Sequence, residues 1–107
     1  MDIIIQAIAF TAGEALDTFV RERLEKFNRE STIIRANVTL FIGPDSELNK
    51  YGCEIRLEVP GNDLFVKKTA DSFEKAVASA TDALQRSRRR AKEKLTDRRQ
   101  DGVSDKT

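Results

Sequence analysis

The chain has 107 residues, enough for one domain that buries roughly 60 to 65 % of its unfolded surface with no need of a disulfide or a metal. One cysteine and no histidine exclude disulfides and His/Cys zinc sites and remove the commonest general base at neutral pH. A formal net charge of +1 conceals a segregation: Arg86 to Arg99 carries eight basic and two acidic side chains, a net of +6 in fourteen residues, while the other ninety-three residues hold 11 basic and 16 acidic ones, a net of −5.

Ile3 to Ala9 is an isoleucine-rich run between Asp2 and a Thr-Ala-Gly-Glu turn. It is too short to span a bilayer and lacks the basic flank of a signal peptide, so it predicts a strand buried on at least one face, in a cytoplasmic protein. Thr11 and Glu14 then form a capping-box pattern, and Ala12, Leu16, Phe19, Val20, Leu24 and Phe27 recur at helical steps through about Asn28. The outer face of this first helix mixes signs at Asp17, Arg21, Glu22, Glu25 and Lys26, an ordinary solvated pattern from which Arg23 and Lys26 could still reach a ligand.

Beyond Ser31, Ile34, Ala36, Val38, Leu40 and Ile42 alternate with Arg35, Asn37, Thr39 and Phe41, the period-two signature of a half-buried strand whose core face is the first set. Gly43 to Asn49 is a loop, and Cys53, Ile55, Leu57 and Val59 alternate with Glu54, Arg56 and Glu58 in a third strand hairpinned to the second. After the turn Pro60-Gly61-Asn62-Asp63, Leu64 to Thr69 is a short fourth strand, with either Leu64 and Val66 or Phe65 toward the core.

Asp71 to Arg99 reads as one long helix. Phe73, Val77, Ala80, Leu84, Ser87, Ala91 and Leu95 make its core stripe, and Asp71 with Glu74 predicts an acidic cap. About 24 residues of helix, roughly 36 Å, against a strand of about 20 Å leave the basic half overhanging the sheet. There Arg86, Arg89 and Arg90 lie opposite the stripe, and Lys92 and Lys94 lie on its flanks. Charges serving solubility alone would mix the signs, whereas a one-signed, arginine-rich rod suits a polyphosphate backbone. From about residue 100 to residue 107 the polar tail is expected to be disordered.

One solvated and one apolar face per strand put both helices on the same side. The expected fold is α+β, a two-layer β-α-β-β-β-α arrangement with a four-stranded mixed sheet and two helices packed on one face. Cys53 is in phase with Ile55 and Leu57 and reads as a small buried hydrophobe. No acidic pair lies inside an apolar run, and no glycine pattern cradles a phosphate before a helix, so an enzyme, a catalytic residue, a metal site and a cofactor are all unsupported.

Asp82-x-Leu84-x-Arg86-x-x-Arg89-Arg90-x-Lys92-Glu93-Lys94-Leu95 resembles the last helix of the ribosome hibernation-promoting factor family, also known as ribosome-associated inhibitors or sigma-54 modulation proteins. Glu14-Ala15-Leu16 and Val59-Pro60-Gly61-Asn62-Asp63-Leu64 extend the resemblance over nearly all of residues 1 to 99. It implies the same fold and a translation inhibitor that binds rRNA in the mRNA and tRNA channel of the small ribosomal subunit, with no small-molecule substrate and no membrane. Arg86, Arg89, Arg90, Lys92 and Lys94 would contact RNA, with Arg23 and Lys26 as secondary candidates. Ala78 and Gly13 depart from the family pattern and bear on capping detail. The chain resembles the short type, without the second domain by which long members pair ribosomes, which leaves open a separate pairing factor. A modulator of a transcription (sigma) factor and a generic double-stranded RNA binder are the alternative functions.

Overall fold

The computed structural model describes residues 1–27 and 33–101, with side chains described through residue 90. The elements follow the expected order: β1 (Asp2–Ala7), α1 (Glu14–Glu25), β2 (Arg35–Ile42), β3 (Tyr51–Glu58), β4 (Leu64–Ala70) and α2 (Phe73–Asp101). The sheet order is β1-β2-β3-β4, with β1 parallel to β2 and the other pairs antiparallel.

Register aligns the apolar residues in rows across the strands. Ile5, Val38, Ile55 and Val66 form one row, and Ile3, Ala36, Leu57 and Leu64 the next. These rows meet Val20 and Leu24 of α1 and Ala76, Val77, Ala80 and Leu84 of α2 in a single core. The phase of β4 is thereby settled: Leu64 and Val66 face inward, and Phe65 is 57 % exposed on the opposite face. On that outer face Asn37 and Arg35 both bond Glu58, and these hydrogen bonds, Asn37 first, hold its carboxyl below the usual carboxylate range.

Several boundaries differ from the sequence expectation. β1 stops at Ala7, because Ala9 adopts a left-handed conformation (φ +66°) that no strand accommodates. At β2 the alternation breaks one residue early: Ile33 is buried and Ile34 is 56 % exposed, and at the far end Ile42 is exposed as well. Both predicted helix caps move. Gly13, not Thr11, is the N-cap of α1 and makes no side-chain cap bond, and α1 ends at Glu25. At α2 the hydroxyl of Ser72 accepts the Lys75 amide at 3.2 Å, while Asp71 is drawn into an ion pair with Lys75 at 3.1 Å. Ser72→Ala should therefore lower stability by about 1 kcal/mol in a thermal melt, more than Asp71→Asn does; the opposite order would return the cap to Asp71.

The start of α2 is pinned by aromatic packing. Phe73 stacks on Phe10 at 4.8 Å and meets the edge of Tyr51 at 5.0 Å. Anchored there, the 29-residue helix is roughly 43 Å long, and the molecule measures 52 Å along its longest axis. Leu84 is the last buried side chain on α2 among the described residues. The helix continues through Asp101, past the predicted end at Arg99, and the rest of the expected disordered tail lies outside the described residues.

Candidate nucleic-acid interface

The overhang begins within one turn of Leu84. Arg86, Arg89 and Arg90 are exposed, and their i, i+3, i+4 spacing sets them on one face with Cβ atoms about 5–6 Å apart. Like charges so spaced oppose helix formation by roughly 0.2–0.5 kcal/mol a pair. The helix dipole does not compensate, since its effect is confined to the last turn and Arg90 lies more than two turns before Asp101. An external polyanion does compensate. Lys92 and Lys94 sit on the same continuous helix, and their side chains lie outside the described residues.

The two candidates on and after α1 separate. Lys26, in the turn following the helix, is exposed. Arg23 is instead turned onto α2. Its Nε and one terminal nitrogen donate to Thr81 Oγ1 at 3.2 and 3.0 Å, and the same terminal nitrogen reaches the Ala78 carbonyl at 3.3 Å and Asp82 Oδ1 at 3.2 Å. Thr81 is 4 % exposed, and its hydroxyl lies 3.0 Å from the Val77 carbonyl to which it donates. Arg23 thus ties α1 to α2 just before the basic half emerges. Sequence spacing offers no signal for this, because the partners are 58 residues apart.

Beyond that tie, the end of α1 and the adjoining turns of α2 enclose a cleft of about 230 Å³. Besides Arg23 and Lys26, its walls include Asp82, Gln85, Arg88 and Arg89. Arg88 is half-buried and lines the cleft.

No other cluster offers chemistry among the described residues. Cys53 is buried, and burial, with Glu54 adding to it, pushes its thiol up to about 12, so it stays protonated and unreactive at neutral pH. Among the described residues no group of His, Cys, Asp or Glu could hold a metal, and no helix is long and apolar enough to cross a membrane.

Residues 3–96 match the family described as sigma 54 modulation protein / S30EA ribosomal protein. No curated protein matches the chain in sequence. Among solved structures, a ribosomal subunit interface protein from Coxiella burnetii superposes with a TM-score of 0.78 at 16 % identity, over 87 % of this chain and 99 % of that one. The N-terminal domain of Protein Y from Thermus thermophilus superposes with a TM-score of 0.69 at 20 % identity, over 81 % of this chain and 94 % of that domain. At these identities the superpositions establish a shared fold.

Proposed function

The chain belongs to the sigma 54 modulation protein / S30EA ribosomal protein family, and from that membership and its cationic helix we propose that it is a non-enzymatic, ribosome-associated inhibitor of translation. It binds rRNA of the small subunit in the channel used by mRNA and tRNA, in the cytoplasm, and excludes both by occupying their place. The observation that carries this reading is the exposed face of Arg86, Arg89 and Arg90 beyond Leu84, the last buried side chain of α2 among the described residues. Guanidinium groups fork to phosphate oxygens and stack on bases, so an array of them on a projecting rod can enter an RNA-lined channel that the body of the domain cannot. Lys92 and Lys94 extend that array, and Lys26 adds a flank from the end of α1. The solved neighbour from Coxiella burnetii is itself a ribosomal subunit interface protein, which supports association with the ribosome.

Purified protein should pellet with isolated small subunits at moderate salt, depress translation in a cell-free extract, and be displaced by mRNA with initiator tRNA. Failure to pellet, together with capture of a sigma factor in a pull-down, would replace this function with modulation of transcription. Binding to the subunit with translation unchanged at saturation would move the site out of the channel.

A further inference from the structure

The cleft between the end of α1 and α2 changes its chemistry along its length. At one end Asp82 faces Arg23 at 3.2 Å, above the buried Thr81. Toward the C-terminal end of each helix, Lys26, three residues beyond Arg23, and Arg89, seven beyond Asp82, line the same cleft. Seven residues of α2 separate Asp82 from Arg89, roughly 10 Å along the axis, which is about the reach of one nucleotide from its phosphate to the far edge of its base. The wall between the two ends includes Phe27 and Gln85. Phosphate contacts along an open rod need no cleft and no carboxylate. A carboxylate within a phosphate-binding surface repels the backbone; Asp82 serves there as the partner of Arg23 through Oδ1, and its second oxygen suits a ligand group other than phosphate.

Resting on the RNA-binding reading above, we propose that this cleft seats a single unpaired ribonucleotide of the RNA, with its phosphate at Lys26 and Arg89 and its base edge at Asp82. A carboxylate is an acceptor only, and among the described residues Asp82 is bonded by Arg23 alone, through Oδ1. Its side chain is 59 % exposed, and among the described residues no hydrogen bond is made to Oδ2. The base it selects must present donors. Guanine offers N1–H and N2–H side by side, two parallel hydrogen bonds to one carboxylate, whereas uracil flanks its single N–H with two carbonyls that the carboxylate repels. Arg23, occupied by Thr81 and Asp82, acts as a positioning residue: it fixes the carboxylate and the spacing of the two helices. Single-stranded and extruded nucleotides are the parts of RNA whose base edges a protein can read, so a guanine-selecting cleft beside a phosphate-binding rod supplies a point of register that the rod alone lacks.

The test is an amide-resolved NMR titration of the full chain with GMP, UMP and inorganic phosphate in parallel, alongside pelleting with small subunits. GMP should shift the amides of Phe27, Thr81 and Gln85, and UMP should bind about tenfold more weakly, a factor equal to ~1.4 kcal/mol. Phosphate should perturb only the surroundings of Lys26 and Arg89. Asp82→Asn should remove the preference for GMP, and Lys26→Met should weaken both nucleotides while keeping their ratio. Equal binding of GMP and UMP by the wild type, or phosphate alone reproducing the full pattern of shifts, would overturn the proposal. No nucleotide-induced shift in a protein that still pellets with small subunits overturns the cleft and leaves the function standing; no shift and no pelleting removes both.

Discussion

Replacing Leu84 with alanine should cost about 2–5 kcal/mol of folding stability, the range for removing a large aliphatic side chain from a close-packed core. Leu84 is 1 % exposed and packs in the core cluster with Leu24 and Leu57. It is also the last anchor of α2 before the overhang, so a cavity there releases the root of the basic rod as well as the core. A domain of this size has little stability to spare, and the variant should melt well below the wild type; an ordinary melting temperature would mean that the core ends earlier on α2 than Leu84. At temperatures where the variant remains folded, its binding to the small subunit should fall less than its stability does, because its arginines are intact.

The converse variant replaces Arg86, Arg89 and Arg90 together with alanine. These side chains are exposed and Leu84 is the last buried one on α2 among the described residues, so folding should change by no more than about 0.5 kcal/mol per site, and relief of like-charge contacts works in favour of the helix. Binding to small subunits at low salt should weaken by at least about tenfold, since three phosphate contacts are lost at once. The two variants therefore separate the halves of one helix: the first half holds the fold, and the second half is the proposed RNA-binding element. A triple variant that melts normally and still binds like the wild type would show that the RNA is met by some other surface.

The division of α2 into a buried stripe and an exposed basic stretch was legible in the chain because the helix carries two superimposed patterns. The stripe Phe73, Val77, Ala80, Leu84 has helical period, and the cluster from Arg86 onward is one-signed, so periodicity gave the packing face and charge gave the free end. The strands were legible for a similar reason, since Ala36, Val38 and Leu40 alternate with polar neighbours and a period of two has one burial solution. Where the reading failed, the deciding contact lay outside the local pattern. Thr11 has the right side chain for a cap but sits two residues before Gly13, where α1 takes its N-cap; Asp71 loses the cap to Ser72 by one position. The burial of Ile33 in place of Ile34 reverses the phase at the entrance to β2, a register that two adjacent isoleucines leave open. Arg23 is the instructive site residue. From sequence it is one more cation on a mixed-sign helix, and only the fold brings Thr81 and Asp82 against it and makes it a tie between helices.

The measurement closest to the central claim is the salt dependence of binding to the small subunit. If Arg86, Arg89, Arg90, Lys92 and Lys94 each neutralise one rRNA phosphate, the logarithm of affinity should fall against the logarithm of salt with a slope of roughly −3.5 to −4.5, from about 0.7 to 0.9 counterions released per contact. The Arg86, Arg89, Arg90 triple alanine variant retains two of the five, and its slope should flatten to roughly −1.4 to −1.8 by the same factors. Two parallel lines, with the variant as steep as the wild type, would contradict the assignment of the α2 overhang as the RNA-binding element.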